Sequence, residues 1–237
     1  MNQENAPSVE LPPSIEPQAS PLLPQHLVDL FIRPRRFFSG QLALGKTPYA
    51  VLIAWCFGAA ATIDRIDQNL FRAEMGRSRS GWDLLAPYIV DSWPGFWAWV
   101  LVFGAVSGLA IWWLGGWWFA ARIRWSGAED QDRRMARLVM AYSAFVHAGP
   151  SVVAALISTA IFSSYAEAYA SDEMFSSILL IFPFWSIAAS YTGVRCVFGV
   201  SGWRPRLWFL VLPVLVYIVA LGLIATLMTL FGDAPPA

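Results

Sequence analysis

Long apolar runs separated by short charged clusters dominate the chain. Residues 92–121 form thirty consecutive positions without Asp, Glu, Lys or Arg, well beyond the roughly 20 that a helix needs to cross hydrocarbon. Three further charge-free stretches, 138–166, 174–194 and 207–232, also have spanning length. The earlier run from Pro48 to Ile63 holds only 16 residues and reaches about 24 Å at 1.5 Å per residue. A crossing there has to begin near Leu44 and let Lys46 snorkel to the surface. The pattern predicts an all-α membrane protein, a five-transmembrane-helix bundle with approximate spans 44–63, 93–118, 138–162, 174–196 and 207–231 inside a membrane domain covering 44–232.

The segments before this domain differ in kind. Residues 1–24 are rich in Pro and polar residues and keep no apolar period, which predicts a disordered tail. They lack the basic start, apolar run and small-residue cleavage site of a signal peptide. Residues 25–40 then join Leu27, Val28, Leu30, Phe31 and Ile32 to a basic cluster around Pro34. This predicts an amphipathic interfacial helix or elbow, with aromatics against lipid and arginines among headgroups. Arg33, Arg35, Arg36, Phe37 and Phe38 are its candidate lipid or partner contacts. The connection 64–92 is too long for a minimal turn, and Leu70, Phe71, Trp82, Leu84, Leu85 and Tyr88 are expected to fold it back over one end of the bundle.

Charge placement adds an orientation. Twelve of the 16 Lys and Arg fall on one predicted side: Arg33, Arg35, Arg36, Lys46, Arg122, Arg124, Arg133, Arg134, Arg137, Arg195, Arg204 and Arg206. Only Arg65, Arg72, Arg77 and Arg79 fall on the other. Since cytoplasmic loops retain Lys and Arg, the N-terminus is expected in the cytoplasm and the C-terminus across the membrane, and a bacterial cytoplasmic (inner) membrane is the expected location. The net charge of zero supplies no polyanion footprint, so no nucleic-acid partner is expected. With 14% charged residues against roughly a quarter in soluble domains, and 57% apolar residues, most of the chain is expected in lipid. Two interfacial belts explain most of the thirteen Trp residues, with Trp93, Trp97 and Trp99 at one end of the second span, Trp112, Trp113, Trp117 and Trp118 at the other, and Trp203 and Trp208 near the start of the fifth.

Within the spans, Gly104 and Gly108 of GAVSG offer a small-residue face for close helix packing. Pro150, Pro183 and Pro213 predict kinks. The third span gathers Tyr142, Ser143, His147 and Ser151 near Pro150, a candidate intramembrane polar site. Such a site suits transport or proton coupling, but no span carries an Asp or Glu near its middle. Soluble-enzyme chemistry finds no support. Cys56 and Cys196 form no CxxC, His26 and His147 no HExxH, and nucleotide-loop and hydrolase-elbow motifs are missing. No catalytic residue, metal or cofactor is expected.

The entry Pro34-Arg35-Arg36-Phe37-Phe38, the AYSAF at 141–145 and the GVSGWRPRLW at 199–208 resemble the Yip1-domain family of polytopic membrane proteins across residues 25–232. The resemblance implies a five-helix bundle with a cytoplasmic N-terminus. Eukaryotic members are associated with vesicle traffic and Rab-type GTPases. The DLYGP-like signature of that branch has no copy here, so GTPase binding is carried to no residue. The expected function is a non-enzymatic membrane scaffold or interaction protein, contacting membrane lipids and a protein partner or a second copy. The alternative is a small-solute or ion transporter or channel using the polar, kinked third span.

Overall fold

A computed structural model describes residues 24–42, 49–129, 132–171 and 180–231, and every regular element among them is a helix. The expected tail up to residue 23, Lys46 and the starts of the expected spans 44–63 and 174–196 lie outside the described residues. The elements are α1 (Pro24–Ile32), α2 (Pro34–Arg36, continuing as a π-helical stretch Phe37–Leu42), α3 (Ala50–Glu74), α4 (Trp82–Val90) and α5 (Trp93–Trp125). They continue with α6 (Arg133–Ile161), α7 (Tyr165–Ser171), α8 (Ile181–Phe198) and α9. This last helix covers 203–231, with a π-helical stretch at Leu207–Val211.

Three helices among the described residues are long and apolar enough to cross a membrane: Trp93–Trp125, Arg133–Ile161 and Trp203–Leu223. Neither α3 nor α8 is one of them. In α3 the reason is chemical. The apolar run ends at Ile63, but Ile63, Ile66 and Leu70 continue an inward stripe at helical spacing while Asp64 and Arg65 face out. The helix therefore runs eleven residues past its expected end at 63, to Glu74. What was expected as one long connection from 64 is the polar half of α3, a turn and α4.

Small residues set the closest helix contacts. Gly58 of α3 meets Gly104 and Gly108 of α5 so tightly that a Cβ on Gly58 would lie 2.0 Å from the Gly104 carbonyl oxygen and 2.3 Å from the Gly108 nitrogen. Gly104 faces Ala59 and Gly108 faces Ala54, so the two helices run antiparallel. Helices α5 and α6 are antiparallel as well. Trp93 Nε1 donates to the Phe162 carbonyl at 2.8 Å and Trp97 Nε1 to Thr159 Oγ1 at 3.0 Å at one end, while Gly116 abuts the Arg137 stem at the other. Helix α8 runs antiparallel to α6, through the Gly193–Val139 contact and the Ser186 hydroxyl donating to the Ser143 carbonyl at 2.9 Å. Helix α9 is joined by Phe209 against Phe119, centroids 5.0 Å apart, and Tyr217 against Phe184 at 5.2 Å.

The entry segment departs from expectation. Leu30, Phe37, Phe38 and Leu42 are almost fully buried and belong to the main core with α6, α8 and α9. Phe37 packs on Tyr142 at 5.1 Å between centroids, Phe31 on Phe145 at 6.1 Å, and Trp185 Nε1 donates to the Phe31 carbonyl at 2.8 Å. Phe38 occupies the space left by the missing side chain of Gly193. The expectation that Phe37 and Phe38 face lipid is overturned: the elbow at Arg33-Pro34 turns them into a notch that only glycine leaves open.

Candidate docking face at the arginine-bearing end

The antiparallel pairing sorts charge by end. The end of α5 brings Arg122 and Arg124, the start of α6 Arg133, Arg134 and Arg137, the end of α8 Arg195, and the start of α9 Arg204 and Arg206. Arg35 joins them, since it lines one cavity with Arg195. Arg33, Arg35 and Arg36 are exposed, whereas Phe37 and Phe38 are not. The face is thus arginine without the two phenylalanines named with it.

Two arginines are structural clamps. Arg122 Nε and Nη2 both donate to the Trp208 carbonyl, and its guanidinium lies 4.3 Å from the Phe209 ring centroid. This joins the end of α5 to the start of α9 through charge-assisted hydrogen bonds and a cation–π contact. Trp125 completes the junction, tilted on Trp208 at 4.7 Å and edge-on to Trp118 at 5.4 Å. Arg137 lies 4.2 Å from the Trp113 centroid. The remaining arginines project from helix ends, and α6 starts at Asp132, whose carboxylate accepts from the Arg134 and Met135 N–H groups.

The opposite end is built differently. Tyr165 stacks on Phe96 at 4.1 Å and donates to Asp67 Oδ1 at 2.5 Å, while Tyr169 reaches Glu74 at 3.5 Å. Burial pushes the Tyr169 phenol up to about 12, and the Glu74 and Asp67 carboxylates add to it. The Ser163 hydroxyl and N–H both donate to Glu167, holding that carboxyl below its ordinary range. Together α4, α7 and the polar half of α3 cover this end. Of the Trp residues expected in belts, Trp93 and Trp97 instead turn inward to bond α6, whereas Trp113, Trp117 and Trp118 are exposed.

A cavity of about 270 Å³ between α5, α6, α8 and α9 is lined by Ser143, Ser186, Ser190 and Arg122 among apolar walls, and Tyr142, His147 and Ser151 do not line it. Ser143 and Ser151 donate to backbone carbonyls of their own helix, Met140 at 3.0 Å and His147 at 3.2 Å. Tyr142 Oη and His147 Nδ1 are buried without a hydrogen-bond partner among the described residues. Gly104 and Gly108 lie in the α3–α5 contact. No group of three His, Cys, Asp or Glu suited to a metal occurs among the described residues.

An all-helical chain with three long apolar helices, packed through glycine faces, is an integral multi-pass membrane protein. The chain belongs to the Yip1-domain family, whose model matches residues 28–224, a region that takes in Leu30, Phe37 and Phe38 of the entry segment and the three long apolar spans. No curated protein and no solved structure matches it.

Sequence reading had placed Arg195 only as one cytoplasmic charge. Its meeting with Arg35 is tertiary: the two lie 160 residues apart, and no local motif links them.

Proposed function

We propose that the protein is a non-enzymatic membrane scaffold that docks a partner at its arginine-bearing end. The membrane domain covers 44–232 with five crossings, α3 and α8 completing the three apolar spans. The N-terminus is cytoplasmic, the C-terminus lies on the opposite side, and the host is a bacterial inner membrane. The observation that carries this reading is the gathering of exposed arginines from α2, α5, α6, α8 and α9 at one end of the bundle. Basic clusters at a cytoplasmic membrane surface attract anionic lipid and acidic protein surfaces alike.

The test is site-specific photo-crosslinking in native membranes, with the crosslinker at Ser39 beside the arginine cluster and, for comparison, at Ser80 on the other end. Adducts to a discrete protein from Ser39, lost when Arg33, Arg35 and Arg36 are changed to Gln, are the expected result. Equal adduct patterns from both positions, unaffected by the arginine changes, contradict docking at this face.

A second reading, a transporter or channel using the polar region of α6, is favoured by one observation. Tyr142 Oη and His147 Nδ1 are polar atoms left open in the core, and buried polar groups without partners are rare outside sites that take water, protons or ligand.

A further inference from the structure

We propose that the cavity between α2 and the end of α8 binds the phosphate of an anionic phospholipid headgroup. It has a volume of about 200 Å³, and Arg35, Arg195, Thr192, Ser201 and Tyr191 line it. The proposal needs only a membrane-embedded bundle and stands whether or not a protein docks nearby.

The two arginines come from elements held rigidly together below the cavity. A Cβ on Gly193 would lie 2.9 Å from Phe38 Cζ and 2.8 Å from Val139 Cγ1, so the α2 segment and α8 are locked at contact distance. Val200, 7% exposed, adds an apolar part of the lining. Helix α8 stops at Gly199, whose φ of 62° is the left-handed conformation that favours glycine, and the chain then brings Ser201 to the rim. Arg35 and Arg195 therefore meet as parts of a built frame.

That frame holds two like charges, and no carboxylate lines the cavity among the described residues. Among the described residues Arg36 pairs with Asp29 at 3.9 Å. Asp29 is thus engaged by the neighbour, and neither Arg35 nor Arg195 has a carboxylate partner there. Two arginines lining one cavity favour an anion there, and a phosphate has oxygens enough to accept from two planar donor forks at once.

Position and size select the source. The cavity lies at the ends of membrane helices, where headgroups sit. Its rim carries Tyr191, with Arg195 at 5.7 Å from the ring centroid, and the exposed Trp203 follows two residues after Ser201. Tyr and Trp favour this depth. A cavity of about 200 Å³ admits a phosphate-bearing headgroup but not a length of peptide. The last carbonyls of α8 also attract Arg195, so the competing role is that of a helix-end cap.

The experiment uses the full chain in neutral detergent, titrated with phosphatidylglycerol or phosphatidylcholine while native mass spectrometry counts bound lipid. One phosphatidylglycerol bound in preference to phosphatidylcholine is expected. Arg35→Gln with Arg195→Gln should weaken it about tenfold, and Arg204→Gln with Arg206→Gln, on the same end but outside the cavity, should change it less than twofold. Equal losses in the two double variants reduce the effect to diffuse surface charge and overturn the site. Inorganic phosphate that displaces the lipid at matched concentration assigns the cavity to a soluble anion and overturns the lipid source. An acidic peptide that binds through the same two arginines, with no preference between the lipids, overturns it too. Unchanged thermal unfolding of both double variants establishes that binding, not folding, is read. If the Gln pair unfolds, Arg35→Lys with Arg195→Lys replaces it, and is expected to retain charge but lose about threefold in affinity with the bidentate geometry.

Discussion

His147 shows how a residue chosen from sequence changes meaning once its surroundings are known. Its place beside Gly149-Pro150 in an apolar span singled it out, and Tyr142 and Ser143 were legible as its polar neighbours in sequence. Their separation in space was not, because it depends on which faces of α6 meet α3, α8 and α5. Ser143 turns to the cavity shared with Ser186, while Tyr142 turns to Phe37. The open Nδ1 of His147 is what separates scaffold from transporter at this scale. In vesicles loaded with a pH-reporting dye, the scaffold account expects no proton flux from the native protein and none from His147→Gln. A flux in the native protein that the Gln variant abolishes would move the function to proton-coupled transport.

At the scale of elements, the contact of α3 with α5 is the sharpest case. The spacing of Gly104 and Gly108 was visible in the sequence, but their partner was not, since a glycine pair serves equally to face lipid, a neighbouring helix or another copy. Gly58 decides it, lying between them with backbone on every near side. Backbone cannot yield as a side-chain tip does, so overpacking there separates the helices. Alanine at Gly58 is expected to lower thermal stability most, by about 2–3 kcal/mol. Gly108 follows, where a Cβ would meet the Ala54 carbonyl oxygen at 2.7 Å, and then Gly104, where the nearest atom is at 3.1 Å. Unfolding midpoints in detergent read the order, and a Gly104 variant as damaged as the Gly58 variant would contradict this packing. The entry segment was the element least legible. Its alternation of aromatic and basic residues is shared by surface helices and by helices seated in a notch, and only Gly193, distant in sequence, tells them apart.

For the whole molecule, the hydrophobic pattern made the helical membrane class legible, and the same arginines that break the apolar runs mark the ends of α5, α6, α8 and α9. Less legible were the polar continuation of α3 and the aromatic cap over the opposite end, because they arise from helical amphipathicity and from pairings such as Tyr165 with Asp67 rather than from hydropathy. The account holds that this end and the arginine-bearing end lie on opposite sides of one membrane, with the arginines in the cytoplasm. Single cysteines at Arg204 and at Ser80, each in a background lacking Cys56 and Cys196, test this with a membrane-impermeant maleimide applied to intact cells and to inverted vesicles. The account predicts labelling of Ser80→Cys only in intact cells and of Arg204→Cys only in inverted vesicles; labelling of both from the same side would contradict it.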